Sequence, residues 1–257
     1  MMKGLMKKFL CRGRPMTLVV LAGGRSRRMG QDKALLPVPG GVLLGRTIAS
    51  LAGFFDEVVV SVSTPPRTSG LEGPVLSSAR GARVVIAVDA VRRQGPLRGI
   101  LTGLRAARNE ASFVLAGDMP DVSLAAARSV IRKSDFVDCA VAVGTSGLVE
   151  PLFGVYKRTC IPAIEDLLAA GRRSVLDLFA VIRTAEVALG LGLMPPNINT
   201  PDEYRAYLKK AARPQGINRL KVLGNGIEQK PAEDLRAEKK GQGRPEGRTG
   251  RRRLEDR

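Results

Sequence analysis

The 257-residue chain contains no histidine and no tryptophan, and only 4% of it is aromatic. The missing imidazole excludes Ser-His-Asp and Cys-His nucleophilic chemistry, His-ligated zinc and imidazole acid–base catalysis. Any catalysis must therefore run on carboxylates, lysine, arginine, backbone amides or a hard metal ion. Scarce aromatics also weaken any reading built on stacking nucleic-acid bases. Cys11, Cys139 and Cys160 are odd in number and show no CxxC spacing, so they read as thiols in a reducing compartment. No run reaches the roughly 18 consecutive apolar residues of a membrane span. Leu178–Met194 comes closest, and Arg183 and Glu186 interrupt it. The opening MMKGLMKKFLCRGRP lacks the apolar stretch of a secretory signal. The expected location is the cytoplasm.

What is present is enough hydrophobic sequence, 44%, for a packed core, and a formal net charge of +18. The charge is uneven: residues 1–14 carry +5, residues 213–257 carry +6, and 15–212 carry +7. More than half of the excess thus lies in two end segments and says little about the folded part. A moderately basic core suits a polyanionic small substrate as well as nucleic acid. We expect a basic N-terminal extension at 1–14, a single domain at 15–212, and a basic, disordered tail at 213–257. Met16 stands directly before the first strand, so the residues upstream of it also read as a mis-assigned start.

β-rich runs alternate with helical patterns, which predicts an α/β fold. Strands are expected at Thr17–Leu21, Glu57–Val62, Arg83–Val88, Ser112–Leu115, Ala140–Val143, Leu152–Tyr156 and Thr184–Ala188. Helices are expected at Leu43–Ala52, Gly99–Arg108, Leu124–Lys133, Thr159–Ala169, Val175–Phe179 and Pro201–Ala212. The first four strands are nearly continuous apolar runs, as in a parallel sheet covered on both faces. Ser63–Gly81, rich in Pro, Ser and Gly, reads as a mobile loop.

The stretch LVVLAGGRSRRMGQDKALLPV, from Leu18 to Val38, asks for a chemical explanation. In a doubly wound sheet, ligands sit beyond the carboxyl ends of the strands, where Gly23 and Gly24 follow the first strand. Glycines let backbone N–H groups approach a phosphate, and Arg25, Arg27, Arg28 and Lys33 surround the same volume with positive charge. Neither GxxxxGK[ST] nor GxGxxG is present, so the two commoner phosphate loops are excluded.

The string GG-x-S-x-R-M-G-x-D-K-x-L-L-P resembles the signature of the nucleotidyltransferases that activate sugar phosphates and cofactors. Among these it is most similar to the molybdenum cofactor guanylyltransferase (MobA-type) family, including the Asp32-Lys33 pair. Further segments follow in the same order: QGPLRGIL at Gln94–Leu101, LAGDMP at Leu115–Pro120, EPLFGVY at Glu150–Tyr156 and NINTPDE at Asn197–Glu203. Arg98 replaces a usual small residue, and Ser61 and Ser63 stand where the family often has Asn. The resemblance covers roughly Thr17 to Leu208.

It implies a Rossmann-like, doubly wound, mostly parallel sheet with helices on both faces, of the nucleotide-diphospho-sugar transferase type. It also implies transfer of GMP from GTP to molybdopterin or Mo-molybdopterin, with Mg²⁺ as cofactor. Lys33, Asp118 and Arg28 would be catalytic. Leu21, Ala22, Gly23, Gly24, Arg25, Lys33, Ser61, Asp89 and Asp118 would bind the nucleotide. Asp118 would hold the metal, and Asn197, Asn199 and Arg172 would meet the acceptor. Other cofactor-biosynthesis proteins and recipient molybdoenzymes are the implied partners. The competing readings are cytidylyl transfer, a different phosphorylated acceptor, a catalytically idle regulator on the same fold, and a basic nucleic-acid-binding protein. Nucleotidyl transfer suits a chain without histidine, because it needs alignment and charge neutralisation more than covalent help.

Overall fold

A computed structural model describes residues 10–11, 13–22, 32–63, 70–89 and 95–212. Residues 213–257, 1–9 and the loop 23–31 lie outside them, and with them Gly23, Gly24, Arg25, Arg27 and Arg28. The strands are β1 (Met16–Leu21), β2 (Pro37–Val38), β3 (Gly41–Val42), β4 (Glu57–Val62), β5 (Arg83–Val88), β6 (Ala111–Ala116), β7 (Cys139–Val143), β8 (Val149–Lys157) and β9 (Thr184–Ala188). The helices are α1 (Leu43–Leu51), α2 (Glu72–Ser78), α3 (Gly95–Ala106), α4 (Leu124–Lys133), α5 (Ile161–Ala169), α6 (Val175–Phe179) and α7 (Pro201–Ala211).

Seven strands form one sheet in the order β5-β4-β1-β6-β8-β7-β9, while β2 and β3 make a separate small hairpin. Only β8 runs against its neighbours, pairing antiparallel with β6 and β7. Alternation along β1 explains the layering. Leu18 and Val20 point to a core completed by Leu44 and Ile48 of α1, Val75 of α2 and Val130 of α4. Val19 and Leu21 point to the opposite core, with Leu97, Ile100 and Leu104 of α3 and Ile164 and Leu167 of α5. Each such fully buried aliphatic side chain contributes roughly 1.5–3 kcal/mol. The sheet is therefore covered by helices on both faces, as the apolar runs predict. Among the described residues no helix is long and apolar enough to cross a membrane.

Two expectations are corrected, and one feature is new. A helix, α2, occupies part of Ser63–Gly81. Gly73 and Pro74 fall in its first turn, where proline is tolerated, and Leu71 and Val75 are buried. Helix α3 starts at Gly95 rather than Gly99, because Gly95 adopts φ +73° and Pro96 follows in the first turn. The hairpin β2-β3 has no counterpart in the sequence reading; its strands are two residues each, too short to show a period. Leu10 and Cys11 pack into the core beside Phe54 and Phe55, and none of the three buried cysteines forms a disulfide.

Candidate functional site

The sheet order places a switch point between β1 and β6. From β1 the chain builds outward through β4 to β5, then returns to lay β6 on the other side of β1. The carboxyl ends of β1 and β6 open there, where ligands bind in doubly wound folds. Their backbones are joined just past the strands, since Gly117 N donates to Leu21 O at 3.0 Å. A Cβ on Gly117 would lie 2.9 Å from Leu21 O and 3.1 Å from Leu44 Cδ1, so the turn that presents Asp118 has room for glycine alone.

Lys33 opens a short 3₁₀ helix, Lys33–Leu35, which Asp32 caps by accepting from Ala34 N at 3.1 Å. Its ammonium donates to Asp118 Oδ2 at 3.2 Å and to Asn199 Oδ1 at 2.8 Å. Residues 33, 118 and 199 thus meet at one point, with the lysine side chain 17% and the aspartate 21% exposed. Asp118 is not the cap of the following helix; Ser123 holds that position at α4.

Asn199 is brought in by a chain of local chemistry. Thr200 and Glu203 form a capping box at α7: Glu203 Oε2 accepts from Asn199 N and Thr200 N, and Thr200 Oγ1 accepts from Glu203 N at 3.2 Å. Those backbone bonds, Asn199's first, hold the Glu203 carboxyl below its ordinary pKa. Helix α7 then packs Tyr207 against Leu36, Val38 and Leu43, and Ile198 N donates to Asp118 O at 3.0 Å. Asn197 Oδ1 is buried and has no hydrogen-bond partner among the described residues.

The other expected residues are more dispersed. Leu21 ends β1 and Ala22 follows it, where Ala22 N donates to Ser61 O at 2.9 Å. Ser61 is buried, its hydroxyl 3.7 Å from where a Cβ of Gly99 would lie. Asp89 follows β5 on the same edge, and its Oδ1 accepts from Arg98 Nε at 3.1 Å. Arg172 is half exposed and ion-pairs with Asp177 at 2.7 Å; among the described residues it does not join the Lys33 cluster.

Two residues in the neighbourhood were not singled out from sequence for a role. In the sequence Arg98 stands out only as a departure from the family pattern. Glu150 stands at the start of β8, and since β8 is antiparallel to β6 its first residues reach the ligand edge. Burial raises the Glu150 pKa, and the charge of Asp118 raises it further. The signal for Glu150 was the EPL segment itself, but its approach to Asp118 depends on strand direction, which the sequence does not reveal.

No cluster of three or more His, Cys, Asp or Glu side chains able to hold a metal ion occurs among the described residues. One carboxylate at an open strand edge fits magnesium shared with phosphate oxygens, which commonly takes one or two protein carboxylates.

A doubly wound sheet whose first-loop lysine meets the carboxylate after β6 defines the Rossmann-like nucleotidyltransferase fold. A solved structure of molybdopterin-guanine dinucleotide biosynthesis protein A from Archaeoglobus fulgidus superposes with a TM-score of 0.60 at 22% identity, over 76% of this chain and 98% of that one. The chain belongs to the MobA-like NTP transferase domain family, whose model matches residues 18–187. Among its relatives, a protein named probable molybdenum cofactor guanylyltransferase from Methanosarcina acetivorans is 36% identical, covering 74% of this chain and 88% of the relative. The molybdenum cofactor guanylyltransferase of Syntrophotalea carbinolica is 34% identical, over 66% of this chain and 76% of that protein. The family resemblance read from the motifs is borne out.

Proposed function

We propose that the protein transfers GMP from GTP to the terminal phosphate of molybdopterin, or of its molybdenum-loaded form, in the cytoplasm. An acceptor phosphate oxygen forms a bond to the α-phosphorus of GTP. The bond from that phosphorus to the bridging oxygen breaks, and pyrophosphate leaves. The observation that carries this reading is the meeting of Lys33, Asp118 and Asn199 at the switch point.

Lys33 offers an ammonium fixed between two acceptors, ready to neutralise charge that grows on the leaving pyrophosphate. A cation held in advance costs no reorganisation when the charge develops. Asp118 would hold magnesium, which when bound supplies further neutralisation of the phosphate oxygens. Asn199 takes the ammonium with its amide oxygen, leaving its amide N–H groups to donate to an anionic acceptor. Asn197, whose buried amide oxygen has no partner among the described residues, would accept an N–H of the same acceptor molecule. Arg25 and Arg28 would clamp phosphates.

The test is direct. Purified protein is incubated with molybdopterin, Mg²⁺ and either GTP or CTP, and pyrophosphate and the dinucleotide product are measured. Turnover with GTP and molybdopterin together supports the reading. Turnover with CTP alone replaces guanylyl by cytidylyl transfer, and turnover with neither nucleotide removes the proposal.

A further inference from the structure

The carboxyl edge of the sheet runs β5-β4-β1-β6, so Asp89 and Asp118 close its two ends. Three strand spacings separate them, roughly 14 Å, comparable with an extended nucleoside triphosphate. With the triphosphate at the Lys33–Asp118 end, the ribose and base fall at the Asp89 end, where the ligand offers O–H and N–H donors for a carboxylate to accept.

Among the described residues, both the backbone and the side chain of Asp89 are held. Its N–H donates to Val62 O at 2.8 Å, which extends the β4–β5 ladder by one residue and fixes the backbone. Its side chain is only 6% exposed and accepts from Arg98 Nε, while Arg98 is 24% exposed. A carboxylate that far from water needs hydrogen-bonding partners to hold it in place. Arg98 stands in the first turn of α3, the helix that Gly99 and Gly103 allow to lie against Leu21 and Val19 of β1. A rigid helix seated on the central strand therefore holds the arginine, and the arginine holds the aspartate.

We propose that Arg98 is a positioning residue: it fixes Asp89 to receive the nucleoside part of the nucleotide, and so sets nucleotide affinity without touching the transferring phosphates. This rests on the nucleotidyl-transfer reading above.

The test compares wild type, Arg98→Ala, Arg98→Lys, Asp89→Ala and the Arg98→Ala/Asp89→Ala double variant. Binding of GTP and of inorganic tripolyphosphate, each with Mg²⁺, is measured by calorimetry, with thermal melts to verify folding. Loss of a charge-assisted contact should weaken GTP binding about tenfold in Arg98→Ala, with tripolyphosphate binding unchanged. Arg98→Lys should recover most of the loss, because it restores the charge beside Asp89. In the Asp89→Ala background, Arg98→Ala should add nothing further. Equal weakening of tripolyphosphate and GTP overturns the proposal, as does an undiminished Arg98→Ala penalty in the Asp89→Ala background. Wild-type-like GTP binding by Asp89→Ala overturns it too, while leaving nucleotide binding itself intact. Should wild type bind neither ligand, the nucleotidyl-transfer reading itself falls.

Discussion

Two carboxylates mark opposite ends of the central strands, and they are treated in opposite ways. Glu57 opens β4 at the amino edge of the sheet and is 3% exposed. It accepts from Thr17 Oγ1 at 2.8 Å, from Arg108 N at 2.8 Å and from Arg83 Nη1, with Arg108 Nε a further 3.9 Å away. Thr17 is itself held by Asn109 Nδ2 at 3.1 Å. Asp118, at the carboxyl edge, is 21% exposed and its carboxylate takes Lys33 at 3.2 Å. A saturated carboxylate ties β1, β4, β5 and the α3–β6 connection into one unit. A sparsely bonded one, paired with a lysine in an open edge, keeps acceptor capacity for a ligand. On the proposed function, fold stability and chemistry are placed at opposite edges of the same sheet, and substitutions should separate them.

The largest effect is expected for Lys33→Ala. Removing a preorganised charge should lower guanylyl transfer about 100- to 1000-fold, while the melting temperature stays near that of wild type. A rate unchanged within error would remove Lys33 from the mechanism. Glu57→Ala should do the reverse. Leaving two arginines and a threonine hydroxyl without their shared acceptor should cost about 3 kcal/mol in urea unfolding, with turnover per folded molecule preserved. If Glu57→Ala instead lowered turnover at full stability, the division of labour between the two edges would be wrong.

This division was only half legible in the sequence. The run at Glu57–Val62 falls where a strand forms because a strand buried on both faces must be largely apolar, whereas Arg83–Val88 and Thr184–Ala188 form the partly exposed edge strands of the sheet. The meeting of Lys33 with Asp118 was legible for another reason, since both residues fall in segments that resemble a known family's. The Lys33–Asn199 contact joins residues 166 positions apart and depends on α7 packing over the β2-β3 hairpin, which no local pattern reports. Helix α2 was hidden because Gly73 and Pro74 read as breakers, although a first turn accommodates both. The Glu57 network was invisible as well, since strand register alone brings Thr17, Glu57 and Arg83 into one row.

Gly117→Ala should blur the comparison by affecting both properties. Its Cβ would meet the Leu21 carbonyl at 2.9 Å, so backbone must shift, at about 1–3 kcal/mol. The displaced residue would be the neighbour of Asp118, so turnover should fall as well. A variant with normal stability and normal turnover would show that the β1–β6 turn has slack that the geometry denies.

The smallest effects are expected in the pH dependence of stability, and they should have opposite signs at two carboxylates. Asp138 receives a fork from Arg183, with Nε at 3.1 Å and Nη2 at 3.2 Å, and a bond from Thr159. These bonds, Arg183's first, hold its pKa down at about 2. A depressed pKa stabilises the fold above the unfolded-state value, and that stability is lost as pH falls toward about 2. Asp138→Asn should therefore lose melting temperature at neutral pH, and the deficit should shrink on acidification. Glu150 is raised, first by burial and then by the charge of Asp118. Below its ordinary pKa it is protonated whether folded or unfolded and costs nothing. As pH rises from there through its raised folded value, the unfolded chain ionises more readily and the fold loses stability. Glu150→Gln, whose amide oxygen can still accept from Leu152 N, should melt higher than wild type at neutral pH and converge with it in acid. Parallel melting curves for wild type and Glu150→Gln across that range would mean that Glu150 does not feel the charge at the catalytic edge.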